Sequence, residues 1–236
     1  MKAVVLAGGK GTRLAPYTKI LPKPLMPIGD MPILEVMLKQ MKRSGVTDVI
    51  LTVGHLANLM RTFFMDGRQW GMNISYSYEE KPLGTAGPLS LIQGLDATFL
   101  VTNGDVLTTL DLKELVGFHK SHGGIATIAV HQRQVRIDLG VVQWNGDGRI
   151  KGYLEKPTYD YTVSMGIYVF EPQVLKFIPF NVYLDFPELV LKMIAAGEKV
   201  VGYAFDGYWM DLGRTDDYAQ AAEDFASMRD QFLPEE

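Results

Sequence analysis

The sequence predicts an α/β fold in three layers, a mainly parallel Rossmann-like sheet between helices. Three observations predict it. Short apolar runs suited to strands buried on both faces alternate with segments of helical period. The first such run empties directly into a glycine loop. From Ile125 onward the pattern changes to closely spaced short strands joined by turn residues, which predicts a hairpin-rich insertion.

Residues 4–7, Val-Val-Leu-Ala, read as the first buried strand, and it breaks at once into Gly8-Gly9-Lys10-Gly11-Thr12-Arg13. Pro32 reads as the first-turn proline of a helix in which Ile33, Met37 and Met41 recur every fourth residue and which Gly45 stops. A strand at 48–53, a helix at 56–64 and a strand at 73–78 complete the β-α-β-α-β alternation that specifies a parallel sheet. Crossover handedness makes such units wind one way, so the loops at the strand C-termini gather along one rim, where a ligand should bind. Residues 79–88, Glu-Glu-Lys-Pro-Leu-Gly-Thr-Ala-Gly-Pro, should lead into an apolar helix through Leu91 and Leu95. Residues 99–102 read as a buried strand ending in Asn103-Gly104-Asp105. Asp111 should cap a helix that runs to about His122 and stops at Gly123-Gly124. Strands follow at 126–130, 141–144, 149–154 and 163–170, then a helix at 186–196, a strand at 199–205 and a terminal helix at 215–228.

With 236 residues and no linker-like stretch, the chain is expected to form a single domain over residues 1–236. The net charge of −4, from 23 basic and 27 acidic residues, lacks the basic excess of a nucleic-acid binder. Phosphate recognition must therefore be local. The absence of cysteine excludes disulfides, thiolate catalysis and Cys-ligated zinc. No apolar run approaches the roughly 18 residues of a membrane span, and the N-terminus starts on a core strand, so a cytoplasmic location is expected. The four histidines are read as surface or helix-face residues.

The glycine loop carries the first chemistry. Bare N–H groups in a glycine-rich turn cradle phosphate oxygens, Arg13 adds a fork of donors, and Lys10 and Lys23 add point charges. The spacing excludes a P-loop, because Lys10 is followed by Gly11, and a dinucleotide fingerprint, because Leu14 stands where a third glycine is needed. Asp105, at the C-terminal end of a buried strand on the same rim, is a first candidate ligand for Mg²⁺, which takes one or two carboxylates plus phosphate oxygens. Glu155-Lys156-Pro157 ends the strand after the hairpins, and Pro157 forces the chain out of the ladder. Residues 208–213, Tyr-Trp-Met-Asp-Leu-Gly, set Asp211 between an aromatic pair and a glycine.

The segment LAGGKGTRL, followed about ten residues later by Pro22-Lys23-Pro24-Leu25 and then by the three later signatures in this order, resembles the sugar-1-phosphate nucleotidylyltransferases over nearly the whole chain. The resemblance leans toward the guanylyltransferases acting on mannose or amino-sugar 1-phosphates, on LGTAGPL at 83–89, GIYVF at 166–170 and the trio Trp209, Asp211 and Gly213. It implies the nucleotide-diphospho-sugar transferase fold, with a nucleotide-binding half over about 1–122, a sugar-binding half over about 123–214 and a C-terminal helix over 215–230. It implies further that Leu6, Ala7, Gly8, Gly9, Gly11, Thr12, Glu79, Gly84 and Thr85 contact the nucleotide and that Arg13 and Lys23 engage its phosphates. Asp105 and Asp211 would hold Mg²⁺, Lys156 the sugar phosphate, and Asn103, Gly140, Glu155, Ser164 and Gly166 the sugar. The substrates implied are a nucleoside triphosphate and a sugar 1-phosphate, with no nucleic acid and no membrane, in a chain that can self-associate.

In the family the residue five positions before the glycine of the LGTAG segment reads the base, which makes it Glu79; a one-residue slip would give the role to Glu80. Guanine offers two adjacent donors, which suit the two oxygens of a carboxylate, so GTP is favoured over the uridine and thymidine nucleotides of relatives that carry Gln. Two departures stand out. Ser164-Met165-Gly166 replaces the usual Asn-Ala-Gly, and Ala15 stands where Arg is common. The chain is expected to be a bare catalytic domain, without the β-helix of many guanylyl relatives. A glycosyltransferase is disfavoured because Val106 and Leu107 follow Asp105 where Asp-x-Asp is needed, and a molybdopterin guanylyltransferase lacks the later signatures. A silent nucleotide-sugar sensor is disfavoured by Arg13, Lys23, Asp105 and Asp211 together.

Overall fold

A computed structural model describes residues 1–234 of the chain. In order, its elements are β1 (Lys2–Leu6), β2 (Pro27–Ile28), β3 (Met31–Pro32), α1 (Ile33–Arg43), β4 (Asp48–Val53), α2 (Ala57–Phe64) and β5 (Asn73–Tyr78). They continue with β6 (Phe99–Asn103), β7 (Val106–Thr108), α3 (Leu112–His122), β8 (Ala126–Arg136), β9 (Val141–Trp144) and β10 (Ile150–Leu154). The last are β11 (Thr158–Phe170), α4 (Phe186–Ala195), β12 (Val200–Ala204), β13 (Trp209–Asp211), α5 (Thr215–Ser227) and α6 (Arg229–Phe232).

Seven strands form the central sheet in the order β12-β8-β11-β6-β1-β4-β5, and only β11 runs against its neighbours. The expected three-layer, mainly parallel architecture is what folds. Strand β1 carries Ala3, Val4 and Val5 at 0% exposure because each face of the sheet is covered. Ala3 and Val5 pack with α1 and α2 residues such as Leu34, Met37 and Phe64, whereas Val4 packs with Phe99, Phe186 and Leu189 on the α4 side. A third cluster closes the molecule beneath α5 and α6, where Phe225 and Phe232 meet Leu14, Ile28 and Leu212.

Several elements differ from the sequence expectation. The apolar helix through Leu91 and Leu95 is instead a single 3-10 turn, Gly87–Leu91, because the chain turns extended at Ile92 and left-handed at Gly94, φ +74°. Pro32 precedes α1 as its cap residue. Strands β8 and β11 outgrow their apolar cores and pair as a ribbon from Ala126↔Phe170 to Arg136↔Thr158, with a register shift between Ser164 and Tyr168. The exposed half of that ribbon has no apolar alternation to announce it. The short pairing of β13 with β7 was also invisible in sequence. His119 meets the helix-face half of its expectation, on the inner face of α3, where at 1% exposure Thr127 and Glu171 supply partners for both ring nitrogens. No described helix is long and apolar enough to cross a membrane.

Candidate active site

The chain runs outward from β1 through β4 to β5 and then returns to β6 on the other flank of β1. The carboxyl ends of β1 and β6 therefore form a topological switch point, the place where open α/β sheets leave a crevice. Leu6 stands opposite Asn103 there, and the Gly104 N–H donates to the Leu6 carbonyl at 2.9 Å. A side chain at Gly104 would press on that carbonyl, with a Cβ only 3.0 Å from it. The glycine loop after β1 and Asp105 after β6 are thus brought to one crevice by the sheet itself.

Within the loop, a Cβ at Gly9 would meet nothing within 4 Å, so its backbone faces open space. Gly11 takes φ +59°, a left-handed conformation, and its carbonyl accepts from Thr18 Oγ1 at 2.7 Å. The following turn, Thr12–Leu14, is anchored by buried Leu14, which leaves Arg13 exposed. The Arg13 guanidinium lies over Gly213, 3.2 Å from where a Cβ would be.

Lys23 is a buried cation, with 9% side-chain exposure. Its Nζ donates to Asp105 Oδ2 and lies 3.6 Å from Asp211 Oδ1. Asp211 reaches this position because β13 pairs with β7, with Asp211 opposite Val106, and because the Leu212 N–H donates to the Asp105 carbonyl at 3.2 Å. Burial pushes the Asp105 carboxyl up, Lys23 counteracts it, and Asp211 adds to the rise. Two carboxylates share one ammonium, which leaves the cluster one negative charge in excess. Hard oxygen donors with surplus negative charge fit a divalent cation such as Mg²⁺, held between carboxylates and a substrate's phosphates.

Glu79 closes the other side of the glycine loop. Its Oε1 is 2.5 Å from where a Gly8 Cβ would be, and its Oε2 accepts the Leu83 N–H at 3.2 Å. Burial raises its carboxyl, and the Leu83 bond pulls the other way. Glu80, by contrast, is exposed and lines a separate cavity. Gly84 has φ +77°, and Thr85 gives both its N–H (2.9 Å) and its hydroxyl (3.1 Å) to Asp185 Oδ1.

On the sugar side, Gly166 sits against the Asn103 side chain, in left-handed conformation at φ +73°. Ser164 Oγ donates to the Tyr168 hydroxyl at 3.1 Å. Gly140 lies under the Tyr153 ring and has no room for a Cβ. Glu155 and Lys156 are exposed in the turn between β10 and β11, Lys156 at φ +45°. Among the described residues, neither bonds to the carboxylate pair or to the glycine loop. The structure therefore brings Lys23, Asp105 and Asp211 together, sets Arg13 against Gly213 two residues beyond Asp211, and leaves Gly140, Glu155 and Lys156 on the hairpin flank.

Some neighbours escaped the sequence reading. A pocket of about 220 Å³ opens beside Asp211, lined by His131, Arg133, Trp209 and Asp217, and the Trp209 indole is fixed by donation to the Met165 carbonyl at 3.0 Å. Two cavities of about 560 and 430 Å³ lie along the β4–β5 edge and include neither the glycine loop nor the carboxylates. Asp185 was overlooked too, although an Asp just before Phe-Pro at a helix start is a readable cap signal.

A family model described as "Nucleotidyl transferase" matches residues 2–228. The chain is 36% identical to a UTP–glucose-1-phosphate uridylyltransferase of Synechocystis sp., over 94% of this chain and 62% of that protein. It is 35% identical to a mannose-1-phosphate guanyltransferase of Neurospora crassa, over 92% of this chain and 62% of that protein. The chain thus spans a little under two-thirds of the length of these curated relatives. Among solved structures, HddC from Yersinia pseudotuberculosis, complexed with GMP-PN, superposes with a TM-score of 0.71 at 23% identity, covering 95% of this chain and 99% of that one.

Proposed function

Since the chain belongs to the nucleotidyl transferase family, we propose that it transfers a nucleotidyl group from a nucleoside triphosphate, GTP in preference, to a sugar 1-phosphate. An oxygen of the sugar phosphate attacks the α-phosphorus, the bond from that phosphorus to the bridging oxygen breaks, and pyrophosphate leaves. The observation that carries the reading is the meeting of Lys23 with both Asp105 and Asp211 beside the glycine loop.

Phosphoryl-type transfer asks for positioning and charge neutralisation more than for covalent chemistry. In this reading the N–H groups of Gly8, Gly9 and Gly11 receive phosphate oxygens, Arg13 steadies the departing pyrophosphate, and Lys23 turns its ammonium to the α-phosphate. Asp105 and Asp211 would hold Mg²⁺, which supplies further positive charge to the phosphates when bound. Lys156 carries the sugar phosphate, and Glu155, Ser164, Gly166, Asn103 and Gly140 the sugar. No general base is needed, because a phosphate monoester is already ionised near neutral pH.

Glu79 supports guanine, since an ionised carboxylate accepts from the two adjacent donors of that base. The Synechocystis relative, a uridylyltransferase at 36% identity, favours the rival reading of a uridine or thymidine nucleotide. A matrix of four nucleotides against the 1-phosphates of mannose, glucose, glucosamine and N-acetylglucosamine, read as pyrophosphate release with Mg²⁺, decides between them. Fastest release with GTP supports the guanylyl reading, fastest release with UTP or dTTP replaces it, and nucleotide binding without release from any pair identifies a sensor.

A further inference from the structure

Asp185 occupies the cap position of α4, where an Asp ordinarily accepts N–H groups of its own helix. Here it makes no such bond. Its Oδ1 accepts from the Thr85 N–H at 2.9 Å and hydroxyl at 3.1 Å, and its Oδ2 accepts from the Tyr183 hydroxyl at 2.7 Å. Thr85 returns the favour, its Oγ1 accepting the Phe186 N–H at 2.9 Å. Side chain and helix end have exchanged partners across 100 residues of sequence.

The exchange is backed by the main chain. The Leu184 N–H donates to the Leu83 carbonyl at 2.9 Å, and the Leu184 carbonyl accepts from Ala86 and Gly87 at 2.9 and 3.0 Å. Gly84 is gripped so closely that a Cβ would stand 2.6 Å from the Leu184 carbonyl and 2.8 Å from Asp185 Oδ1. Leu83, held by this clasp, donates its N–H to Glu79 Oε2, and Glu79 Oε1 faces Gly8. An unbroken series of contacts runs from Asp185 to the wall of the glycine loop.

We infer that Asp185 is a positioning residue for nucleotide-base recognition, clasping the 83–87 loop so that Leu83 sets the orientation of the Glu79 carboxylate. This rests on the nucleotidyl-transfer reading above. The ligand class concerned is the base of a purine or pyrimidine nucleoside triphosphate, and the sugar 1-phosphate is untouched by the clasp.

The test is a set of variants assayed by steady-state pyrophosphate release and by titration with a fluorescently labelled form of the nucleotide the wild type prefers. Asp185→Ala is expected to raise KM and Kd for that nucleotide by about tenfold, to cut the preference over the other bases by about fivefold, and to leave kcat and the sugar 1-phosphate KM within about twofold. Asp185→Asn, which keeps an Oδ1 acceptor, should restore near-wild-type values. In a Glu79→Gln background Asp185→Ala should no longer alter base preference, the non-additivity expected of residues acting through one another. If Asp185→Ala does not fold, Tyr183→Phe, which removes only the donor to Oδ2, should still raise nucleotide KM two- to threefold. A drop in kcat alone, unchanged base preference, or a full effect persisting in the Glu79→Gln background overturns the clasp and leaves the transferase reading standing. A folded wild type that neither binds nor consumes nucleotide overturns both.

Discussion

Lys23 donates through its Nζ to Asp105, and the two side chains sit at 9% and 21% exposure. The pair joins the end of β6 to the turn that follows the glycine loop.

Replacing Lys23 with Met leaves Asp105 and Asp211 facing each other without a counter-charge. Removing one partner of a buried pair costs about 3–5 kcal/mol, and the residual exposure of Asp105 places this case at about 3 kcal/mol or less. Urea denaturation should show the loss in chelator, and millimolar Mg²⁺ should restore part of it in the variant. Equal stability in chelator would refute the pairing as a structural element.

Arg13→Ala is expected to fold normally and Asp105→Asn to fold with some loss of stability from its pair with Lys23, and each to lower turnover at least about a hundredfold, the usual consequence of deleting one charge-stabilising group. Arg13 is exposed, so its circular dichroism spectrum and melting midpoint should match the wild type. Pyrophosphate release within about threefold of wild type would remove either residue from the reaction.

Glu79→Gln exchanges two acceptors for one acceptor and one donor. The ratio of kcat/KM for GTP to that for UTP should fall at least about tenfold, as expected when a buried hydrogen-bonding partner no longer matches. Competition between the two nucleotides in one reaction reads it directly, and an unaltered ratio would transfer base reading to another residue.

The His119–Thr127–His122 network gives stability a pH dependence. Gly124 N–H donates to His122 Nδ1 at 2.8 Å, which leaves Nε2 to donate to Thr127 Oγ1 at 2.7 Å. Thr127 then donates to His119 Nδ1 at 2.8 Å, and His119 Nε2 donates to Glu171 at 3.1 Å. Burial, with His119 and Lys199 nearby, lowers the His122 pKa. A depressed histidine means the unfolded chain binds the proton more readily, so this stability is complete above the ordinary histidine value near 6.5 and is lost as pH falls through the lower folded value. The melting midpoint should therefore drop between about pH 7 and pH 5. His122→Gln should cost about 1 kcal/mol at pH 8 and flatten that slope. A parallel slope in the variant would exclude His122 as its source.

The legible parts of the fold were those where pattern and burial coincide. Val4 and Val5, the Ile33–Met37–Met41 stripe and the Asp111 cap each say locally what the structure does. Asp105 and Asp211 could be named as a pair from sequence, but the β13–β7 pairing that joins them could not, since three residues a side carry no periodic signal. The outer half of the β8–β11 ribbon is legible only as polar chain, because its backbone pairing is indifferent to side-chain type. The missing helix after Gly87 was a case of apolar spacing at Leu91 and Leu95 overruled between them, where Ile92 is extended and Gly94 takes φ +74°. Asp185 was legible as a cap residue, but its bond to Thr85, 100 residues away, was not.

The pairing of β7 with β13 also says when the cluster of Lys23, Asp105 and Asp211 can exist. Strand β13 is among the last parts of the described chain to leave the ribosome, and until it docks, Asp105 has Lys23 but not Asp211 beside it. The sheet from β1 to β11 can assemble during synthesis, since domains begin to organise from their N-terminal side. The cluster itself is a closing event of biogenesis, so a nascent chain stalled before Trp209 would be compact and yet hold Lys23 against Asp105 alone.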